Sequence, residues 1–191
     1  MNKIYITSDL HFGHDKYFMY SPREFDTIQE HDETIVKNWN SIIDDTDTVF
    51  VLGDIMLGDN ENGMKCLRQL RGHIRIVLGN HDTLTRINLY QSVPTISIAG
   101  YADVIKYRKY HFYLSHYPTL TDNFDGDKPL KARTINLCGH SHTQDRFVDM
   151  DKGLIYHVEM DAHNCFPVLL DDIIEDIKLV NSFEKDINTL D

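Results

Sequence analysis

Histidine and acidic side chains of this chain gather at the ends of short apolar runs. The chain holds 11 histidines among 191 residues, and several stand beside Asp, Asn or Gly. The residues in such positions are Asp9, His11, Asp54, Asn80, His81, His116, His140 and His142. Oxygen and imidazole donors without a thiolate favour divalent ions such as manganese, iron, cobalt or zinc over a cysteine-bound structural zinc. These candidates exceed the needs of one tetrahedral ion and favour a pair of ions about 3.5–4 Å apart, which suits in-line displacement at phosphorus.

Apolar runs rich in β-branched residues predict the strands that position these side chains. The runs cover residues 4–7, 48–52, 74–78, 111–114 and 135–138, and residues 103–107 are expected to form a hairpin with the fourth run. Polar residues replace the apolar pattern abruptly where each run ends. Because loops at the carboxyl ends of strands in an open α/β sheet converge on one crevice, we expect the polar residues to meet there.

Helical spacing of apolar residues predicts the connections between the first three strands. One helix is expected over about 27–43, where Asp26 and Gln29 resemble a capping box. A second is expected over about 63–70, with Gly72 in a left-handed conformation near its end.

The second half of the chain is richer in strand signals. A surface loop is predicted over residues 119–134, closing strands over 154–160 and 166–170, and a last helix capped by Asp171. Alternating helices followed by strands predict an α/β sandwich of two mixed β-sheets flanked by helices. The length favours a single domain over residues 1–191.

The composition excludes several classes of protein. Lys and Arg total 19 against 30 Asp and Glu, so the net charge is −11 with histidine neutral. This charge repels phosphate-rich polymers, and we expect no extended nucleic-acid-binding surface. No apolar run approaches the ~20 residues that cross a bilayer, and no signal peptide pattern follows Met1. Three cysteines without CxxC spacing fit a reducing compartment. We therefore expect no membrane association and a cytoplasmic location.

Five ordered motifs resemble those of the calcineurin-like metallophosphoesterases. They are Asp9-Leu10-His11, Gly53-Asp54, Gly79-Asn80-His81-Asp82, Ser115-His116 and Gly139-His140-Ser141-His142. Each follows a strand-like run, and the resemblance extends from residue 4 to about residue 170. The opening Asp-Leu-His-Phe-Gly-His and the late Asn-Cys-Phe-Pro-Val resemble the small bacterial and phage-type members.

The resemblance implies a role for each motif residue. One metal ion would be bound by Asp9, His11 and His142, the other by Asn80, His116 and His140, and Asp54 would bridge both. The resemblance also implies that His81 faces the leaving-group oxygen, where it can donate a proton, and that Asp82 orients it. We expect two divalent ions, with manganese first and iron, zinc, cobalt or nickel as alternatives. Such ions lower the pKa of a bridging water, whose hydroxide attacks phosphorus in line.

The expected substrate is a small phosphate ester, with a nucleotide-like phosphodiester favoured because no monoester-specific clamp follows the Gly-Asp motif. His14 and Arg23 are candidate substrate-binding residues. His14 is alternatively a surface histidine, and Arg23 alternatively pairs with Glu24 or Asp26. A phosphomonoesterase, a nuclease acting on DNA or RNA ends and a non-catalytic protein-binding scaffold stay open as alternatives, as does the oligomeric state.

Overall fold

The computed structural model describes residues 2–119, 129–148 and 154–187, and it confirms the expected α/β sandwich of two mixed sheets flanked by helices. Its strands are β1 (Ile4–Thr7), β2 (Thr48–Leu52), β3 (His73–Val77), β4 (Ile96–Gly100), β5 (Ala102–Tyr107), β6 (Tyr110–Ser115), β7 (Thr134–Cys138), β8 (Ile155–His157) and β9 (Val168–Leu169). Its helices are α1 (Tyr17–Tyr20), α2 (Ile28–Ile42), α3 (Asn60–Leu67), α4 (Leu84–Gln91) and α5 (Leu170–Ile187). Short 3-10 turns cover Ser21–Arg23, Leu130–Ala132 and Met160–His163.

The two sheets differ in how their strands connect. The first has the order β4-β3-β2-β1-β9, in which β1 to β4 run parallel and β9 is antiparallel to β1. The second has the order β5-β6-β7-β8, and only β5 and β6 are antiparallel. The turn between β5 and β6 is made by Arg108 and Lys109, with φ of 47° and 74°, as a tight hairpin requires. The parallel strands point their carboxyl ends to one edge, where the motifs lie.

Alternation along the strands of the first sheet separates two cores. Tyr5 and Val49 pack with α2, α3 and α4 around Trp39, which is fully buried. Ile6 and Phe50 face the other way and pack against the second sheet and α5. The first sheet is therefore buried on both faces. This packing fixes the position of its strand ends within the sandwich.

Helices α2 and α3 are capped by residues that the sequence analysis did not predict. Thr27, rather than Asp26, caps α2 by accepting from the Glu30 amide, and Glu30 in turn accepts from the Asp26 amide. Asp59 caps α3 by accepting from two amides of its first turn, so this helix begins before residue 63 and ends at Leu67.

Several elements of the second half differ from the predictions. Helix α4 and strand β4 were not predicted, and the closing strands β8 and β9 are shorter than expected. Part of the predicted 119–134 loop is a 3-10 turn followed by β7, whereas residues 120–128 lie outside the described residues. Among the described residues, no helix combines the length and apolarity needed to span a bilayer.

Candidate metal centre

The ends of five strands bring the predicted residues to one edge of the sandwich. Asp9 and His11 follow β1, Asp54 follows β2, Asn80 and His81 follow β3, His116 follows β6, and His140 and His142 follow β7. The first two exits are tied together because the amides of Asp9 and His11 donate to the carbonyls of Gly53 and Asp54, each at 3.0 Å. The amide of His140 donates to Asp9 Oδ2 at 2.9 Å and so joins the second sheet to the first.

Most of these residues have a strained backbone. Positive φ angles occur at Asp9 (57°), His11 (50°), Asp54 (55°), His140 (73°) and His142 (49°). A non-glycine residue in this conformation costs about 1–3 kcal/mol, and such strain persists where the surrounding structure enforces it for function. Here the left-handed residue turns its side chain into the crevice directly after the strand ends.

One group of donors consists of Asp9, His11 and His142. Asp9 Oδ1 lies 3.6 Å from His11 Nε2 and 3.7 Å from His142 Nε2. One ligand atom from each of the three residues falls within 4.8 Å of the others, a spacing that one cation can span. This is the set that the family resemblance assigned to the first metal ion.

A second group surrounds His116. Its Nε2 lies 2.9 Å from Asn80 Oδ1, 3.2 Å from His140 Nδ1 and 3.4 Å from Asp54 Oδ2. An amide oxygen, a carboxylate oxygen and two ring nitrogens thus converge on one point. Electron-pair donors this close together repel one another, and a positive charge at their centre stabilises them. Asp9 also lies within reach of this group, since Asp9, Asp54 and His116 form a set within 4.8 Å.

The Asp54 carboxylate faces both groups. Its Oδ2 lies 3.4 Å from His116 Nε2 in the second group and 3.9 Å from His11 Nε2 in the first. Its Oδ1 accepts from the His81 amide at 2.9 Å. One carboxylate between two donor sets is the arrangement expected of a bridging ligand.

Two buried atoms of the first group have no hydrogen-bond partner among the described residues. They are Asp9 Oδ1 and His11 Nε2, and both residues are almost wholly buried. A buried polar atom left without a partner costs about 1–3 kcal/mol. The donor set therefore fits a divalent cation, which would satisfy both atoms at once.

Hydrogen bonds behind two histidines fix which ring nitrogen faces the crevice. His116 Nδ1 lies 2.8 Å from the Leu52 carbonyl oxygen, and His142 Nδ1 lies 3.0 Å from Asp161 Oδ2. Because each oxygen accepts, each Nδ1 carries a proton, and Nε2 is the nitrogen that is left to offer a lone pair to a cation at the centre. This is the usual arrangement of metal-binding histidines.

The acid–base properties of the two groups follow from burial and mutual contact. Burial acts to raise the pKa of Asp9, but contact with His11 and the charges of His142 and His116 outweigh it and hold the pKa well below its usual range. Burial acts to lower the pKa of His116, yet Asp54 and Asp9 raise it to about 9. Without a metal ion, a proton on His116 occupies the place of positive charge.

Glycines before the ligands permit the close approach of neighbouring loops. A Cβ atom on Gly79 would collide with the Asp54 carboxylate, and one on Gly139 would collide with Ser8 and with the Asp9 carboxylate. These two glycines thus leave room for the carboxylate of another motif.

His81 stands at the open side of the centre. Its side chain is 39% exposed, and its Nε2 lies 3.9 Å from Asp54 Oδ2. Its ring centroid is 5.7 Å from that of His11. The ring therefore borders both the donor groups and the cleft, where it can reach a substrate atom.

Asp82 does not orient the His81 ring, contrary to the sequence-based expectation. Its Oδ2 accepts from the Gly79 amide at 2.8 Å and from the Asp54 amide at 3.0 Å. Its Oδ1 accepts from the Tyr90 hydroxyl at 2.8 Å. Asp82 instead clamps the β2 and β3 exits together, because both of its oxygens accept from these three donors.

Arg23 does not face the cleft, which corrects its expected role in substrate binding. Its side chain is 1% exposed and forms a two-point contact with Asp161, at 2.7 Å and 3.0 Å. It also donates to the Asp9 carbonyl at 2.8 Å and lies 2.9 Å from His31 Nε2. The alternative partners Glu24 and Asp26 were wrong as well, since the guanidinium points into the protein.

His14 lies where a substrate contact was expected. It lines the cleft, and its Nδ1 is 3.3 Å from His11 Nδ1. Burial, followed by the charges of His11 and His81, lowers the pKa of His14 to about 4. Its neutral ring forms one wall beside the first donor group.

Asp161 contacts a residue of the candidate centre, and the sequence analysis missed it. It joins His142 to Arg23 and so connects a candidate ligand to a buried cation. Burial acts to raise the pKa of Asp161, but His142 and Arg23 hold it well below its usual range. No local spacing pointed to this residue, because it lies in a 3-10 turn 19 positions after its partner.

A cleft of about 330 Å³ opens over the two donor groups. Part of its lining is polar and comes from the strand ends, including Asp54, Asn80 and His81. The other part comes from α1 and the turn after it, through Phe18, Met19 and Pro22. The cleft thus combines a floor of candidate metal ligands with an apolar wall.

Comparison with known proteins places this geometry in a family. The sequence profile of the calcineurin-like phosphoesterase superfamily domain matches residues 2–158. The chain is 32% identical over 183 residues to the uncharacterized protein MJ1445 of Methanocaldococcus jannaschii, covering 92% of this chain and 91% of that protein. It is 30% identical over 172 residues to the Gene 66 protein of Mycobacterium phage L5, covering 75% and 79% of the two chains.

A solved structure shares the fold. A protein of unknown function from Aquifex aeolicus, AQ665, superposes with a TM-score of 0.72 at 19% sequence identity. The superposition covers 92% of this chain and 99% of that one. The same arrangement of sheets and helices is therefore adopted by a chain of quite different sequence.

Proposed function

The chain belongs to the calcineurin-like phosphoesterase superfamily, and on that premise we propose that it hydrolyses small phosphodiesters with the help of two divalent metal ions, manganese first. The observation that carries this proposal is the position of Asp54. One buried carboxylate faces His11 in one donor group and His116 in the other. Two cations with a shared carboxylate are the arrangement that serves in-line displacement at phosphorus.

The donor groups supply each ion with its own ligands. One site would use Asp9, His11 and His142, the other would use Asn80, His116 and His140, and Asp54 would serve both. Imidazole and oxygen ligands suit manganese, iron, zinc, cobalt and nickel. When bound, two such ions supply Lewis acidity, which lowers the pKa of water and neutralises charge on phosphate oxygens.

The side chains around the cleft have separate tasks in this proposal. His81, half exposed above Asp54, holds the proton that the leaving oxygen needs, and Nε2 is the atom that delivers it. The Asp54 carboxylate accepts from the His81 amide at 2.9 Å and so fixes the loop that carries this ring. His14 contacts the substrate from the side wall.

A diester is favoured over a monoester because of the shape of the cleft. A phosphodiester carries a second organic group that stays on phosphorus after the bond breaks. The wall formed by Phe18, Met19 and Pro22 offers that group an apolar surface directly beside the donor groups. A phosphomonoester leaves this surface unused.

Turnover of two chromogenic esters tests the proposal. Metal-stripped protein, with and without added manganese, is assayed on bis-p-nitrophenyl phosphate and on p-nitrophenyl phosphate. We expect manganese-dependent cleavage that favours the diester, and loss of that activity in Asp54→Asn, which excludes a contaminating hydrolase. Preference for the monoester would make the protein a phosphomonoesterase. Silence on both esters with manganese bound would favour the non-catalytic scaffold.

A further inference from the structure

The apolar wall of the cleft is built by a four-residue helix with an unusual distribution of side chains. In α1, Met19 is buried, whereas Tyr17 and Phe18 are 71% and 70% exposed. Among the described residues, those that line the cleft include Phe18 but not Tyr17. The two neighbouring aromatic rings thus have equal exposure, and one of them borders the donor groups.

The wall is held in place from behind. Met19 anchors α1 in the protein, and its amide donates to the Lys16 carbonyl at 2.8 Å. The turn that follows α1 ends at Arg23, which is tied to Asp161 at 2.7 Å. The same Asp161 contacts the candidate ligand His142 at 3.0 Å. The position of the wall is therefore set by the residues that also support the metal centre.

Phe18 contacts the ring of His14, which in turn contacts His11 of the first donor group. The His14 ring centroid is 5.3 Å from that of His11 and 5.8 Å from that of Phe18. The Phe18 and His14 rings are nearly perpendicular, at 88°, which is a favourable edge-to-face contact. This contact holds the Phe18 ring at the cleft while most of its surface stays open to a ligand.

We propose that Phe18, supported by Met19 and Pro22, forms a subsite for a flat aromatic group, of which a nucleobase is the natural example, on the ester that remains attached to phosphorus. This inference rests on the proposed phosphodiesterase function and adds the chemistry of the retained group. The wall is apolar and uncharged, so it suits a base rather than a second phosphate. A base stacks on an aromatic side chain without requiring hydrogen bonds that depend on its identity.

The position of the subsite also selects which ester group it holds. His81, the proposed proton donor, follows β3 and faces the leaving oxygen, whereas Phe18 belongs to α1 and is reached past His14. With the leaving oxygen assigned to His81, the group beside Phe18 is assigned to the ester that stays on phosphorus, and the two diesters below differ only in that group.

Two diesters with the same leaving group test the subsite. The p-nitrophenyl ester of thymidine 5′-phosphate carries a base on the retained group, and methyl p-nitrophenyl phosphate carries only a methyl group. With the manganese-loaded protein, Phe18→Ala should lower kcat/KM for the thymidine ester by about 5- to 150-fold, the range measured when a base loses its stacking partner. Most of the loss should appear in KM. The methyl ester should change less than twofold.

Variants of the same helix provide the controls. Tyr17→Ala removes an equally exposed ring outside the cleft and should leave both esters unchanged, and Phe18→Trp should retain the preference for the thymidine ester. Equal losses on both esters in Phe18→Ala, or no loss on either, would overturn the subsite.

A failure of the proposed function has a different signature. Neither ester would then be cleaved by the wild-type protein with manganese. The subsite is in that case tested by the Kd of thymidine 5′-phosphate for the manganese-loaded protein. Weaker binding in Phe18→Ala than in wild type supports the subsite, and equal binding refutes it.

Discussion

Replacing Asp161 by Asn should weaken one of the two metal sites selectively. Asp161 Oδ2 accepts from His142 Nδ1 at 3.0 Å and from Arg23 Nη2 at 2.7 Å, while Oδ1 accepts from Arg23 Nε at 3.0 Å. An asparagine keeps one acceptor and turns the other oxygen into an NH₂ donor. That donor must face a donor of Arg23 or of His142, so at least one of these contacts is lost. If the oxygen stays beside His142, it is neutral and orients the ring more weakly than the carboxylate does.

The size of the effect follows from the two partners. Loss of a hydrogen bond that orients a metal-binding histidine costs about 10- to 100-fold in metal affinity. Arg23, with a side chain 1% exposed, loses its counter-charge, and breaking a buried ion pair costs about 3–5 kcal/mol of stability. We therefore expect Asp161→Asn to bind one manganese ion normally and the other about 10- to 100-fold more weakly.

Manganese titration followed by electron paramagnetic resonance measures both affinities, and urea unfolding of the metal-free protein measures stability. Asp176→Asn is the matched control, because Asp176 pairs with Arg146 at 2.7 Å and with the Tyr156 hydroxyl at 2.7 Å, away from the candidate ligands. It should lose stability and keep both metal affinities. Asp161→Ala removes both acceptors and should weaken the same site at least as much. Wild-type affinity at both sites in Asp161→Asn and in Asp161→Ala would refute the assignment of His142 and the role of Asp161 behind it.

Three other perturbations test separate parts of the centre. On a diester with an alkoxide leaving group, such as a dinucleotide, His81→Ala should retain both manganese ions and lose about 10²- to 10⁴-fold in kcat, as expected for a lost general acid. The loss should be smaller on a p-nitrophenyl ester, whose leaving group departs without a proton, and loss of metal would place His81 among the ligands. In the metal-free protein the raised pKa of His116, about 9, means that a cation must displace a proton at neutral pH. Manganese affinity should therefore fall by up to about tenfold for each pH unit as the pH is lowered from 9 to 7. A calorimetric titration in which the affinity does not depend on pH would contradict this. Gly79→Ala should push the Asp54 carboxylate aside and weaken both ions in the same titration, and unchanged affinity would show that the close approach of these two motifs is not needed.

The sequence predicted the fold class and the strands that carry the motifs because both depend on local patterns. The apolar runs of β1, β2 and β7 end where the polar motifs begin, and the structure brings these ends together. Helix boundaries were less accurate because they depend on single capping contacts. Asp59, for example, accepts from two amides, and α3 therefore begins earlier than the apolar spacing predicted.

The supporting contacts of the centre could not be read from local spacing. Arg23 was expected at the substrate because a free guanidinium suits phosphate, but its burial depends on Asp161, which lies 138 positions away. The family resemblance implied that Asp82 orients His81, yet its carboxylate points at Gly79, Asp54 and Tyr90. Side-chain direction at a strained strand end is a tertiary property, which the order of residues does not specify.

The central claim is that Asp54 stands between two cation sites. Anomalous diffraction at the manganese edge, from crystals of the manganese-loaded protein, tests it directly. We predict two anomalous peaks on either side of the Asp54 carboxylate, one beside His11 and His142 and the other beside His116 and His140. A single peak, or two peaks that do not share Asp54, would contradict the account.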